Sequence, residues 1–147
     1  MAAIRVVAIL GLATAALAAC GDMAAQRPSA GGPAVTPQAE SMKRMVADVT
    51  VVRSFAGAGG GDAADRAQAE AAAADLLDWS GRMAELFPPA VAPSLYPDLT
   101  EQMVRNAPAA MRRTAEALLS TTRGGDRSAV ADRLASVERE GCGACHR

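Results

Sequence analysis

Apolar residues recur along this chain at alternating spacings of three and four, which is the repeat of an amphipathic helix. The first stripe of this kind consists of Met42, Met45, Val49, Val52 and Ala56. Similar stripes follow Asp62 and Asp126, and no stretch shows the alternation that is typical of a strand. Alanine is abundant and β-branched residues are few, so the pattern predicts an all-α domain.

Capping residues and helix breakers indicate the bounds of the first two helices. Thr36 is a suitable cap, and Pro37 a suitable first residue, for a helix that ends at Ala56 before a glycine-rich turn. Asp62 is predicted to cap the second helix, which runs to about Phe87 and stops at a proline pair. A longer connection follows this second helix.

The second half of the chain contains two further helical segments. Asp98 is predicted to cap the third helix. Pro108 falls within this segment, so the helix either kinks there or stops and restarts with Pro108 at its first position. Gly124-Gly125 ends the segment, and Asp126 opens a last helix that carries the end of the chain.

Composition limits the class of protein. The chain has 15 basic and 16 acidic residues and a formal net charge of −1, with no basic stripe. Aromatic residues are limited to two Phe, one Trp and one Tyr, so nucleic-acid binding is not expected. A core of Ala, Leu, Val and Met is thin for a domain of about 110 residues, and a buried apolar group would complete it.

The first residues of the chain have the pattern of an export signal. Residues 1–19 are predicted to be a lipoprotein-type signal peptide, because a positive start precedes the apolar run 6–16, which is too short to span a bilayer. Residues 17–20 resemble the bacterial lipoprotein cleavage box, in which Cys20 becomes the acylated N-terminus. An ordinary secretory signal that is cut after Ala18 is the alternative. Both interpretations predict export from the cytoplasm.

The stretch after the signal is predicted to be a flexible tether. Residues 20–36 are small, polar and rich in Pro and Gly, and they show no apolar period. The folded domain is then expected over residues 37–147. Acylation of Cys20 also accounts for the third cysteine, which would otherwise be an unpaired thiol in an oxidising compartment.

The chain ends in Cys142-Gly143-Ala144-Cys145-His146-Arg147, which contains the Cys-x-x-Cys-His signature of c-type haem attachment. On a helix, residues three and four apart share a face, so the two thiols can reach the two vinyl groups of one porphyrin. His146 is then the expected proximal ligand of the iron. The two small residues between the cysteines let the backbone approach the macrocycle closely.

Other uses of these residues are less consistent with the sequence. His146 is the only histidine, so a Ser-His-Asp or Cys-His hydrolase would lack its base once this residue binds iron. A zinc site would have no fourth Cys or His apart from Cys20. A thiol–disulfide oxidoreductase that uses Cys142 and Cys145 would lack the usual βαβ context, and it would leave the histidine unexplained.

Taken together, these motifs resemble those of the cytochrome c-prime family and its six-coordinate, low-spin relatives. The resemblance covers about residues 37–147. It rests on the order and spacing of the terminal motif, the Gly-rich first turn before Asp62, the Leu86-Phe87-Pro88-Pro89 exit, Tyr96 before Asp98, and the Gly124-Gly125-Asp126 turn. It implies an antiparallel four-helix bundle with one covalent haem c near the C-terminus.

The resemblance also implies a position for the residue on the distal side of the iron. Counting back from the first glycine turn, the family's distal position falls on or near Met42, with Met45 as the alternative ligand. Met42 with His146 would give Met/His ligation, which raises the reduction potential. Both methionines can also be core residues. Arg44 and Arg139 are candidate partners for the haem propionates.

The function implied by these expectations is electron transfer in the periplasm by a c-type cytochrome, and not catalysis. Its expected partners are other redox proteins and, through the lipid on Cys20, a membrane; nucleic acid is not expected. The resemblance leaves both a monomer and a homodimer open. The alternative function is binding of nitric oxide or carbon monoxide by a five-coordinate haem.

Overall fold

The computed structural model describes residues 36–57 and 61–146. Within these ranges the secondary structure is entirely helical, which confirms the predicted all-α class. The predicted signal peptide, the lipid-attachment residue Cys20 and the tether up to residue 35 lie outside the described residues. No helix within the described ranges combines the length and the apolar character that crossing a bilayer requires.

Residues 36–57 and 61–146 contain five α-helices, which are followed by two short helical segments of other types. The α-helices are α1 (Pro37–Ala56), α2 (Ala63–Leu86), α3 (Ala92–Leu95), α4 (Glu101–Gly124) and α5 (Arg127–Ser136). After α5 the chain forms a π-helical segment, Val137–Gly141, and then a 3₁₀ turn, Cys142–Ala144.

The first two helices begin as the sequence predicts. The Thr36 hydroxyl oxygen accepts a hydrogen bond from the backbone N–H of Ala39 at 3.1 Å, and Pro37 occupies the first turn of α1. The Asp62 carboxylate accepts from the backbone N–H of Asp65 at 2.8 Å. Both caps satisfy N–H groups that have no partner within the helix.

The segment between α2 and α4 differs from the prediction in two respects. The cap of α4 is Thr100, whose hydroxyl accepts from the N–H of Met103 at 3.1 Å, and not Asp98. Asp98 does not cap α4, because it lies inside a turn that is closed by a hydrogen bond from the N–H of Leu99 to the carbonyl of Tyr96. The helix begins after this turn. In addition, the predicted irregular connection contains the short helix α3.

Of the two alternatives for Pro108, the structure has one continuous helix. Pro108 lies inside α4, which runs without a break to Gly124. Gly125 then adopts the left-handed conformation with φ 76°, and its N–H bonds to the carbonyl of Thr122 at 3.0 Å. Asp126 caps α5 through its carboxylate, as predicted.

The longer helices enclose a common core. α1 packs on α2, α2 on α4, α4 on α5, and α5 on α1, an arrangement compatible with a helical bundle. The largest side chains with less than 2% exposure are Val52, Leu76, Met111, Leu118, Thr122, Val130 and Val137. The apolar stripes of the sequence therefore do turn inward.

The prediction of one α-helix up to the terminal motif is wrong in detail. α5 ends at Ser136, and the π-helical segment separates it from the two cysteines. Val137 and Gly141, at the two ends of this segment, are buried, and the segment packs on α4. A π turn holds one more residue than an α turn, so the motif emerges at a different angular position from the one a continuous α-helix would give it.

Candidate haem site

A cavity of about 390 Å³ lies where the terminal motif, the start of α1 and the segment after α2 meet. Its wall is mostly apolar, and it consists of Gln38, Ala39, Met42, Met83, Phe87, Tyr96, Asp98, Leu99, Val104, Cys145 and His146. The volume is within the usual range of about 300–1,000 Å³ for small-molecule sites. Residues from α1, α2, α4 and the C-terminus thus line one cavity although they are distant in sequence.

Three of the four sequence-predicted cofactor-binding residues line this cavity. Met42 comes from the first half of α1, and Cys145 and His146 come from the terminal motif. Cys142, the fourth, is not among the lining residues; it is half-buried and packs against the edge of the core. The first thiol of the motif therefore lies further from the cavity wall than the second.

The two candidate distal methionines lie in different environments. Met42 is half-buried and lines the cavity, whereas Met45 belongs to the core and is 6% exposed. Residues three apart share a face of an α-helix, so the two methionines differ mainly in position along the axis, where Met45 lies about 4.5 Å further from the start of α1.

Backbone hydrogen bonds close the terminal motif into a compact turn. The carbonyl of Cys142 accepts from the N–H of Cys145 at 3.1 Å and from the N–H of His146 at 3.0 Å. These bonds join residues that are three and four apart in sequence, which is the spacing expected for a helical motif, although the segment is a 3₁₀ turn. The His146 side chain is exposed and lines the cavity from its rim.

The surroundings of the two thiols favour their protonated form. Burial, and to a smaller extent the nearby Glu138 carboxylate, raises the pKa of the Cys142 thiol above its usual value. Burial also raises the pKa of the Cys145 thiol. A nucleophilic or redox-active cysteine usually has a lowered pKa, because the thiolate is the reactive form. The surroundings of Cys142 and Cys145 therefore do not favour the reactive thiolate.

Aromatic side chains form one wall of the cavity. The ring centroids of Trp79 and Phe87 are 6.3 Å apart, and those of Phe87 and Tyr96 are 6.1 Å apart. Both spacings suit favourable tilted aromatic contacts. Trp79 lies behind the wall, is 4% exposed, and its indole N–H has no hydrogen-bond partner. Three of the four aromatic residues of the chain thus lie at this end of the domain.

Polar groups at the cavity were the part of the site that sequence reasoning missed. The Gln38 side-chain amide donates to the carbonyl of Leu86 at 3.0 Å and so links the first turn of α1 to the end of α2. Asp98, predicted only as a cap, lines the cavity together with Gln38. The one available signal for Gln38 was its spacing of four residues before Met42, which places both on one helix face.

Neither predicted propionate partner lines the cavity. Arg44 is exposed on α1 and is absent from the wall. Arg139 is exposed on the π-helical segment and borders a separate, shallower depression, which His146 also lines. His146 is therefore the residue common to the two depressions.

The donor set suits a haem better than a bare metal ion. Among residues 36–57 and 61–146, no three His, Cys, Asp or Glu side chains are grouped so that they could hold a metal ion. A haem brings porphyrin nitrogens to its iron, so the protein supplies only axial ligands and an apolar pocket. His146 and Met42 both line the mostly apolar cavity, and two half-buried thiols lie on the same turn as the imidazole.

Comparison of the chain with protein-family models, with curated proteins and with solved structures gives no match.

Proposed function

We propose that this protein is a periplasmic c-type cytochrome that carries one covalent haem c and transfers electrons. The observation that carries the proposal is the cavity, whose wall contains Met42 from α1 together with Cys145 and His146 from the terminal motif. The sequence alone predicts these residues for haem chemistry, and their presence around one apolar cavity of suitable size supports the proposal.

Each residue has a separate task in this proposal. Cys142 and Cys145 attach the porphyrin through thioether bonds, and His146 and Met42 are the axial ligands. Haem iron that is bound in this way supplies a one-electron couple at a raised potential. The wall formed by Met83, Phe87 and other apolar side chains keeps water away and so contributes to that potential.

The finer description of the fold belongs to the same proposal. The four longer helices pack in the cycle α1, α2, α4, α5, which is the neighbour relation of an up-and-down bundle. An antiparallel four-helix bundle of the cytochrome c-prime type fits this cycle, with the haem between α1 and the terminal motif. The resemblance of the sequence motifs and the position of the cavity both support assignment to the cytochrome c-prime family.

The proposed location follows from the chemistry of attachment and from the start of the sequence. Bacterial covalent haem attachment takes place outside the cytoplasm, and residues 1–19 have the pattern of an export signal. Acylation of Cys20 would hold the domain at a membrane, and the partners would be other redox proteins of an electron-transport chain. No general acid–base pair is needed for this role, so no enzymatic activity is proposed.

A haem stain on a denaturing gel tests the proposal directly. The wild-type protein, expressed for export together with a haem-attachment system, is expected to stain, and its mass is expected to include one haem. The double variant C142A/C145A should lose both signals because no thioether can form. Cys20→Ala is the matched control, since it removes a cysteine outside the motif and should keep the covalent haem.

The absorption spectrum separates electron transfer from gas binding. Met/His ligation predicts a low-spin spectrum in both redox states and no rapid adduct of the reduced protein with carbon monoxide. A high-spin spectrum with rapid formation of a carbon monoxide adduct would instead indicate an open distal position and a gas-binding function. Absence of covalent haem in exported protein would refute both functions.

A further inference from the structure

The surface beside the cavity mouth contains a group of exposed apolar side chains on α3 and its flanks. We name this surface, formed by Val91, Leu95 and Tyr96, the α3 patch. These side chains are 47%, 60% and 41% exposed. Among the described residues, the other large apolar side chain with comparable exposure is Val46, at 65%. Three such residues within six positions form a patch, in contrast to the single exposed residues that are normal on protein surfaces.

The chain enters the folded domain next to this patch. The Gln38 side chain in the first turn of α1 donates to the carbonyl of Leu86 at 3.0 Å, only five residues before Val91. Gln38 and Tyr96 also line the same cavity. Whatever precedes Thr36 is therefore attached at the end of the domain that carries the α3 patch and the cavity mouth.

The sequence before Thr36 is short compared with the domain. Cys20 precedes Thr36 by sixteen positions, in a stretch rich in Gly, Pro and small residues. The tether predicted for this stretch would span about 20–24 Å on average. A helix of 24 residues, such as α2 or α4, is about 36 Å long. An anchor at Cys20 would thus hold the patch end of the domain closer to a membrane than the opposite end.

We infer that the α3 patch rests on the lipid bilayer and turns the cavity mouth toward the membrane surface. The inference rests on the lipid anchor included in the proposed function. Val and Leu side chains can enter the boundary of the acyl region, and tyrosine is enriched at the level of the lipid headgroups. A short tether gives the patch a millimolar effective concentration at the bilayer, so a small apolar surface is sufficient for contact. A redox partner would then reach the cavity from the membrane.

Alkylation of an introduced cysteine tests this orientation without depending on electron transfer. Leu95→Cys, in the full acylated chain bound to phosphatidylcholine vesicles, is compared with the same variant that carries Cys20→Ala and is exported by an ordinary secretory signal, so that it has neither an acyl group nor the apolar run 6–16. A large, water-soluble maleimide is the reagent. The alkylation rate is expected to fall several-fold on the vesicles, because the lipid covers the patch. Ser54→Cys, at an exposed site near the far end of α1, should react equally fast in both forms.

A second substitution in the patch provides the matched control. Adding Val91→Glu to Leu95→Cys should restore the fast reaction on vesicles, because a charged residue weakens insertion. Adding Val46→Glu, an equal change outside the patch, should leave the reaction slow. If the acylated chain sediments with vesicles but Leu95→Cys reacts as fast as in solution, the patch does not lie on lipid and the inference is overturned.

The failures of the two proposals can be told apart. A mass spectrum without an acyl group, together with protein that stays in the supernatant, removes the anchor and with it the inference about orientation. Covalent haem is scored on the same samples by its absorption. A chain with haem but without an anchor therefore keeps the electron-transfer proposal and overturns only the docking of the α3 patch.

Discussion

The two halves of α1 carry the same apolar repeat but lie in different surroundings. In the first half, Gln38 and Met42 line the cavity. In the second half, Val52 and Phe55 are 0% and 4% exposed and belong to the core. Met45 is the first residue of the helix that belongs fully to the core.

This difference shows what an apolar stripe in a sequence can and cannot indicate about the surroundings of a helix. The three–four spacing indicates which face of a helix turns inward, because it reflects the polarity of the surroundings. It does not indicate whether that face meets other side chains or an unfilled volume. The second half of α1 borders an open depression at the surface, but around Val52 and Phe55, at that end of the domain, the side chains of the bundle fill the interior. At the other end they leave about 390 Å³, and the residues suited to haem chemistry are found there.

The pair Met42 and Met45 gives the strongest test of this comparison. Met42→Leu should remove the sixth ligand, lower the reduction potential and let the reduced protein bind carbon monoxide. Met45→Leu should leave the spectrum and the potential unchanged. It should change the free energy of unfolding by less than about 1.5 kcal/mol, because Leu and Met have similar volumes. Redox titration followed by absorption, together with urea unfolding, measures both effects.

Each variant of this pair serves as the control of the other. They make the same chemical change one turn apart on the same helix. If Met45→Leu altered the axial ligation and Met42→Leu did not, the roles assigned to the two methionines would be reversed. If neither altered it, the distal position would be filled by some other group.

Much of the fold could be predicted from the types of residue at the ends of each helix. The caps Thr36, Asp62 and Asp126 were predicted because Thr and Asp side chains accept hydrogen bonds from the free N–H groups of a helix start. Asp98 has the same chemistry but does not cap a helix, because the turn between Tyr96 and Leu99 delays the start of α4. Competition between such local turns is not visible in residue type alone.

The site was predictable in its chemistry and less so in its shape. Cys145, His146 and Met42 were named from the sequence and line the cavity. The π-helical segment before Cys142 was not foreseen, because an apolar spacing of three and four does not distinguish a π turn from an α turn. The contribution of Gln38 depends on its contact with Leu86, which is 48 residues away in sequence.

The close contact that holds the terminal motif on α4 is the basis of the second prediction. A Cβ at Gly141 would lie 3.1 Å from Sδ of Met111 and 3.2 Å from Oγ1 of Thr114. Met111 is fully buried and has little room to move. Gly141→Ala should therefore lower the free energy of unfolding by about 1–3 kcal/mol through overpacking. Urea unfolding followed by circular dichroism measures the loss.

Gly81→Ala is the matched control for this substitution. Gly81 lies inside α2, is exposed, and a Cβ there would meet nothing within 4 Å. The change should raise the free energy of unfolding by about 0.5–1 kcal/mol, because alanine loses less backbone entropy in a helix. Equal effects of the two substitutions would show that the contact of Gly141 with α4 does not limit the position of the motif.

The smallest expected effect concerns Asp48 on α1, whose carboxyl group is partly buried and lies within the electrostatic influence of Asp75 on α2. Burial, and then the negative charge of Asp75, raises the pKa of Asp48 above its ordinary value of 3.8. The folded state therefore binds a proton more tightly than the unfolded state does. Stability is then lost as the pH rises from the unfolded pKa through the folded pKa, and the full penalty is present at neutral pH. Because Asp48 is only partly buried, screening by water keeps this penalty small.

Asp48→Asn should consequently stabilise the protein by on the order of a few tenths of a kcal/mol at about pH 7, and by less at about pH 4. Asn and Asp have similar helix propensities, so the gain would come from removing the charge. Asp132→Asn, at an exposed position of α5, makes the same change away from Asp75 and should show no comparable dependence on pH. Urea unfolding at both pH values provides the measurement. A gain that is equal at both pH values would mean that removal of the Asp48 charge is not the cause of the stabilisation.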